Sequence, residues 1–354
     1  MKKIVMTGGG TAGHVTPNIA LFPSLRERGY QIYYIGSYKG IEKELIEAEG
    51  DIPYYGISSG RFRRYFSLQN LVDPFKVLHG ISQARQLLKK IQPDIVFSKG
   101  GFVSVPVVLA AGKLNIPTII HESDMTPGLA NRISSKYASR ICYSFPETLD
   151  SLPAGRAVFS GSPIRQELLT GDREKGLALC GFNQEKPVLL IIGGSTGAKA
   201  INDTVRSALP EILKKWQVIH LCGKGMLDPS LNGTTGYVQF EYVREDLRHL
   251  FAAADLVVSR AGANAICELL ALKKPNILIP LSAAASRGDQ ILNAASYEKQ
   301  GYSYVIQEEV LTVPSLLKAL DYVQAHMEDY RSAMEKSPAT DAVKTICDLI
   351  DKLS

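Results

Sequence analysis

Two glycine-rich turns, each entered from a short apolar run, limit the architecture of this chain more than any other feature. Lys3–Met6 leads straight into Gly8-Gly9-Gly10-Thr11-Ala12-Gly13-His14. Roughly half a chain later, Val188–Ile192 leads into Gly193-Gly194-Ser195-Thr196-Gly197-Ala198. Glycines allow a sharp turn and a close approach of backbone to a ligand, and the helix that follows aims free N–H groups at it. Strand, glycine turn and helix in succession make a phosphate or nucleotide site. Two of them predict an α/β protein of two Rossmann-like domains, with parallel sheets facing a cleft.

The length of 354 residues allows two domains that each bury a core. Hydrophobic residues make up 45% and charged residues 21%, the balance expected of a soluble globular chain. No apolar run reaches the roughly 18 residues a membrane span needs. The start, Met-Lys-Lys-Ile-Val-Met-Thr-Gly, reads as a first strand rather than a signal peptide. Five cysteines, at 142, 180, 222, 267 and 347, form no Cys-x-x-Cys pair. They read as reduced, mostly buried thiols of a cytosolic protein.

The net charge of +5 is local. Between Arg61 and Lys90 seven bases stand against one acid, Asp73, which leaves the remainder close to neutral. Arg61-Phe62-Arg63-Arg64-Tyr65-Phe66 interleaves bases with aromatics, and Phe75-Lys76 continues in kind. Each base near an anionic membrane is worth about 1 kcal/mol, and aromatic rings seat at headgroup level. An anionic membrane surface is therefore the expected partner. Nucleic acid is the rival for such a patch, but no nucleic-acid-binding module accompanies it. The plainer alternative is a helix with its aromatics in the core and its bases solvated.

Short apolar strands alternate with helical patterns along the first half, with strands expected at 3–6, 31–35, 94–97, 117–121 and 140–143. Gly161-Ser162-Pro163 marks a hinge. The pattern then restarts, with strands expected at 187–192, 217–221, 237–240, 255–258 and 276–279. The stretch 315–352 is helical in period and interrupted near Pro338. These boundaries divide the chain into domains 1–163 and 164–337, with a last helix over 338–354.

Gly8, Gly10 and Gly13 satisfy G-x-G-x-x-G, but a nicotinamide site also wants an acid at the end of the second strand to hold a ribose. Here that strand ends Tyr34-Ile35-Gly36-Ser37, with no acid until Glu42. A nicotinamide oxidoreductase is disfavoured on that ground. His14 falls at or near the first turn of the following helix, whose positive end favours a neutral ring able to accept a proton; the alternative is a locally packed histidine. Gly193–Ala198, with the Ser195 hydroxyl, suits a diphosphate. One helix terminus contributes only about 0.3–1 kcal/mol toward an anion, so a second element is needed. Ser259-Arg260-Ala261-Gly262-Ala263-Asn264 supplies it, with Glu268 placed to accept hydrogen bonds from a ribose diol or, more plainly, to sit solvated. No Asp-x-Asp pair and no His or Cys ligand spacing is present, so no metal and no cofactor is expected.

Taken together and in order, these motifs resemble the MurG family of glycosyltransferases, nearly end to end. Gly8–His14 and Lys99-Gly100-Gly101-Phe102-Val103-Ser104 resemble its first two glycine loops. His121-Glu122-Ser123-Asp124 and Gly161-Ser162-Pro163-Ile164-Arg165 follow in the family's order. Gly193–Ala198 resembles its third loop, Arg260–Glu268 its donor-site helix, and Asp289-Gln290 with Asn293-Ala294 its sugar-contacting block. The resemblance implies a GT-B fold in which the first domain binds acceptor and membrane and the second binds UDP-sugar, with the last helix returning to the first.

It further implies transfer of N-acetylglucosamine from UDP-N-acetylglucosamine to the 4-hydroxyl of N-acetylmuramoyl-pentapeptide-diphospho-undecaprenol (lipid I). The product would be lipid II for peptidoglycan synthesis, made with inversion at the cytoplasmic face of the bacterial membrane. The undecaprenyl-linked acceptor and cell-wall synthesis proteins are the implied partners. By matching position, Thr11, Ala12, Gly13 and Asp124 border the donor sugar and diphosphate. Arg165 and Ser195 hold the diphosphate, and Arg244 lies near the uracil. Ala263, Asn264, Ala265 and Glu268 take the nucleotide, and Gln290 takes the sugar hydroxyls. His14 is the candidate base and Asp124 the backup carboxylate. Arg61, Phe62, Arg63, Arg64, Phe66, Phe75 and Lys76 form the membrane and acceptor patch. Two departures stand out: the family often has Glu-Gln-Asn in place of Glu122-Ser123-Asp124, and the loop 281–288 lacks its His-Gln pairing. A related transferase using another lipid acceptor, such as diacylglycerol, and a non-catalytic nucleotide-sugar sensor are the alternatives.

Overall fold

The computed structural model describes residues 1–60, 69–194, 197–284, 288–339 and 341–354, and of 69–74 the backbone alone. The chain forms two compact units: residues 1–165 with 341–354, and residues 166–340.

The first unit is built on seven parallel strands: β1 Lys2–Thr7, β2 Tyr30–Ser37, β3 Tyr54–Ile57, β4 Ile95–Ser98, β5 Thr118–Glu122, β6 Arg140–Tyr143 and β7 Ala157–Phe159. Their order is β3-β2-β1-β4-β5-β6-β7, so the sheet grows outward in both directions from the β1/β4 pair. Alternation decides the layers. Ile4 and Met6 face the helix Thr16–Glu27 together with Ile346 and Ile350 of the helix Ala342–Leu353. Val5 and Val96 face the other way, onto Ala84 and Leu88 of the helix Gln69–Ile91 and onto Val107, Ala110 and Ala111 of the helix Ser104–Lys113. β4 and β5 are buried along their whole length, as strands covered on both faces must be. The last helix is capped by Asp341, whose side chain accepts from the Lys344 amide (3.1 Å).

The second unit repeats the plan with β8 Val188–Ile192, β9 Gln217–Leu221, β10 Tyr237–Phe240, β11 Leu256–Ser259, β12 Asn276–Leu278 and β13 Tyr304–Val305. All pairs are parallel and the order is β10-β9-β8-β11-β12-β13. Leu189 and Ile191 pack with Ile201, Val205 and Ile212 of the helix Lys199–Lys215, with Trp216, and with Leu316 and Leu320 of the helix Val313–Ala325.

The expected strands are all present, and three more appear at sheet edges: β3, β7 and β13. They span four, three and two residues and are mostly half-buried, too short to show a pattern. The helix Arg173–Cys180 precedes β8, so Lys199–Lys215 is the second α-helix of this unit rather than its first. The closing helical stretch breaks twice, at His326 and again between Glu335 and Ala342. All five cysteines are free, and four of them are buried. No helix among the described residues is long and apolar enough to cross a membrane.

The C-terminal helix thus completes the first unit's core, with Ile346 and Ile350 fully buried. Ile346→Ala and Ile350→Ala should each lower unfolding free energy by about 2–5 kcal/mol, the cost of a partly collapsed cavity, read from urea unfolding followed by circular dichroism.

Candidate active site

In an open parallel sheet ligands bind outside the carboxyl ends of the strands, where strand order reverses. That point lies between β1 and β4 in the first unit and between β8 and β11 in the second, and each of these four strands runs directly into a glycine-containing turn. In the first unit the two turns touch: the Gly9 amide donates to the Gly100 carbonyl (3.3 Å). Gly101 has φ 84° with Gly9's carbonyl against its α-carbon, so no side chain fits there.

The loop 8–14 is braced from several sides. Tyr34 donates its hydroxyl to the Gly8 carbonyl (2.8 Å), and Asn18 donates to the Thr7 carbonyl (3.2 Å). Glu42 accepts from the Gly10 amide (3.1 Å), from the Ser37 amide (3.1 Å) and from the Ser37 hydroxyl. Burial alone would raise the Glu42 pKa, but these hydrogen bonds outweigh it and hold the carboxyl below its usual range.

His14 lies not in the helix Thr16–Glu27 but on a single 3-10 turn, Ala12–His14, just before it. Its Nδ1 is 3.0 Å from the Thr11 hydroxyl. Burial is what keeps the ring neutral. Burial lowers its pKa from 6.5 to about 4, assisted by the Lys99 ammonium and opposed by the charges of Asp124 and Glu42 and by a hydrogen bond to the Gly9 backbone. Thr11 and Ala12 are exposed, and Gly13 and Asp124 are half-buried. The structure therefore brings Thr11 to His14 and Asp124 into one neighbourhood.

Lys99, at the end of β4, is 1% exposed and donates to the Ser123 hydroxyl. Burial and the same ammonium push His121 far below 6.5, and its Nε2 donates to the Gly161 carbonyl (2.8 Å). Glu122 is buried and accepts from the amides of Asp124 (3.1 Å) and Gly128 (3.0 Å) and from Asn131 (2.9 Å), which fixes the loop after β5. Its pKa is raised by burial, with Asp124's charge adding to that and Asn131's hydrogen bond opposing it. Arg165 is half-buried and closes the first unit's continuous segment.

In the second unit Ala263, Asn264 and Ala265 form the first turn of the helix Ala263–Ala271, behind Gly262, and Glu268 is half-buried in its second turn. Gln290 stands at the start of the helix Asp289–Lys299 and accepts from the Leu281 amide (3.0 Å), which ties down the loop after β12. Arg260 pairs with Glu308 and donates to the Ile279 carbonyl (3.2 Å), clamping the ends of β11 and β12 together. These residues follow the carboxyl ends of β11 and β12, of which β11 pairs with β8. Arg244 is exposed in the loop after β10, two strands from β8. Ser195 lies outside the described residues. Residues 193–197 also spell G-x-S-x-G, the turn of serine hydrolases. The histidine of the adjacent strand, His220, is bound at both ring nitrogens, to Asn202 (3.0 Å) and Tyr237 (3.0 Å), and cannot serve a nucleophile.

Arg61, Phe62, Arg63, Arg64 and Phe66 also lie outside the described residues. Phe75 is 72% exposed and Leu78, one turn on, 64% exposed, so this part of the helix Gln69–Ile91 is not core. Among the described residues no three His, Cys, Asp or Glu side chains are grouped to hold a metal ion. The sequence carries little signal for the parts played by Lys99, Glu122 and Glu42: the first two stand inside glycine and acidic motifs, and Glu42 comes too late after β2 to hold a ribose.

Two doubly wound parallel sheets, each with glycine turns at its switch point, form a pair of Rossmann-like domains, and the family and structural matches make the class a GT-B glycosyltransferase. Residues 4–143 match the glycosyltransferase family 28 N-terminal domain and 188–350 its C-terminal domain. A Lachnospira eligens protein is 66% identical over 350 residues, 99% of both chains, and one from Lachnoclostridium phytofermentans is 64% identical over 353 residues, 100% of this chain and 99% of the other. Both are described as UDP-N-acetylglucosamine–N-acetylmuramyl-(pentapeptide) pyrophosphoryl-undecaprenol N-acetylglucosamine transferase. The crystal structure of Acinetobacter baumannii MurG, 27% identical, superposes with a TM-score of 0.79 over 99% of this chain and all of the other. The chain belongs to the MurG family.

His14 should titrate near pH 4, and Lys99→Met should move its midpoint up toward 6.5, read from the imidazole NMR signals. The unfolded chain binds more protons than the folded one between those values. His14's contribution to stability is therefore complete above pH 6.5 and lost as pH falls toward 4.

Proposed function

We propose that this chain transfers N-acetylglucosamine from UDP-N-acetylglucosamine to lipid-linked N-acetylmuramoyl-pentapeptide, converting lipid I to lipid II. The observation that carries this is the 66% identity to a transferase of that description over 99% of both chains. The second unit holds the donor: the turn 193–198 and the first turn of the helix Ala263–Ala271 meet the nucleotide with backbone amides, and Glu268 meets the ribose. Gln290 takes the sugar, and Arg165 and Ser195 stabilise the departing diphosphate. The first unit holds the acceptor.

The acceptor's 4-hydroxyl attacks the anomeric carbon in one displacement, with inversion. His14 takes its proton. An imidazole with a pKa of about 4 is a weak base, so the proton moves late, once the new bond has acidified the hydroxyl. Asp124, whose charge raises the His14 pKa, stabilises the imidazolium as it forms. The reaction runs without metal or cofactor. The test is transfer of labelled N-acetylglucosamine onto a short-chain lipid I analogue. His14→Ala should lower turnover by about 10²- to 10⁴-fold while UDP still binds, and a chelator should leave the wild-type rate unchanged. Transfer to diacylglycerol instead would reassign the acceptor.

The chain works at the cytoplasmic face of the membrane, held there by the basic aromatic segment. The exposure of Phe75 and Leu78, three residues apart on one helix beside Lys76, supports this reading. Replacing Arg61, Arg63 and Arg64 by glutamate should weaken partition onto anionic vesicles, since each base contributes about 1 kcal/mol. Equal sedimentation of wild type and variant would remove the patch from the mechanism.

A further inference from the structure

One amide of the first glycine turn, that of Gly10, is already taken by a buried carboxylate. In nucleotide-binding folds the amides of such a turn receive a phosphate, and an acid after the second strand receives the ribose. Here the acid comes from the helix Ile41–Glu47, five residues beyond Ser37, and reaches back to the turn itself. Glu42 is 1% exposed. One of its carboxylate oxygens takes the Gly10 amide, and the other takes both the amide and the hydroxyl of Ser37. The space it occupies is shaped for it: a Cβ at Gly9 would lie 2.5 Å from its carboxyl carbon, and one at Gly40 would overlap its oxygens.

We infer that Glu42 is a positioning residue: its carboxylate occupies the anion site of the first turn in place of a ligand phosphate and so holds Thr11–His14 in working geometry. The inference rests on the transfer activity proposed above. It explains why a chain with two glycine turns and a G-x-G-x-x-G match need bind only one nucleotide. The first turn donates its amide inward, and the loop beyond it projects Thr11 and Ala12 to solvent. Shortening the side chain by one carbon removes its reach, and an amide in its place presents a donor to one of the amides or to the hydroxyl that the carboxylate satisfies.

The test compares wild type, Glu42→Gln and Glu42→Ala with sodium formate as the probe and sodium chloride as the control. Displacing a reacting group by about 1 Å costs about 10²-fold, so Glu42→Ala should lose about that factor in kcat, with KM for UDP-N-acetylglucosamine unchanged. Glu42→Gln should fall between the two. Formate should raise the melting temperature of Glu42→Ala, but not of wild type, and should restore its kcat. Unchanged kcat in Glu42→Ala, or a folded variant whose kcat formate does not restore, overturns the positioning role. A melting temperature blind to formate overturns the anion cage. Should wild type itself transfer nothing, the proposed reaction fails, while the melting arm still decides on the cage.

Discussion

The carboxyl ends of parallel strands are where this protein keeps its unsatisfied backbone donors, and the reversal of strand order opens one crevice in each sheet. Thr11 to His14 and Lys99 hang from the loops at the first of those places and Ala263 to Glu268 from a helix at the second, while Asp124 and Gln290 follow the neighbouring strands β5 and β12. The strands beneath are buried on both faces and cannot move without opening the core, so the loops inherit a fixed base. In both crevices side chains take the backbone amides of the loops. In the second unit Gln290 accepts from the Leu281 amide, and Glu308, paired with Arg260, accepts from the Ser282 amide. In the first, Glu42 accepts from the Gly10 amide and Glu122 from those of Asp124 and Gly128.

This gives the first unit an unusual electrostatic interior. A buried ammonium, Lys99, acts on two buried imidazoles, His14 and His121, while the charges of Asp124 and Glu42 act on His14 in the opposite sense. Ser123 offers a hydroxyl to the Lys99 ammonium, and Asp124 adds a negative charge that acts on His14 against that ammonium.

Much of this was legible in the sequence because it rests on short-range signals. The central strands announced themselves as apolar runs between turn residues, and the glycine turns named their own positions. The edge strands β3, β7 and β13 did not, because two to four half-buried residues carry no periodicity. His14 was legible as a neutral ring, but the burial that keeps it so was not. A helix dipole can be read from spacing, whereas burial and a lysine 85 positions away in the chain meet it only after folding. Glu42 escaped for the opposite reason: the expected place for an acid was the end of β2, and the acid that matters arrives from the next helix and points back.

The path of the chain has its own consequence. The second unit is continuous, residues 166–340, whereas the first is closed by residues 341–354, which follow the whole of the second in the chain. Emerging from a ribosome, the second unit can fold while the first still lacks the helix that covers Ile4 and Met6. Until that helix arrives the apolar face stays open to water, so a product cut short before residue 341 would be left with an unfinished sheet and a finished neighbour.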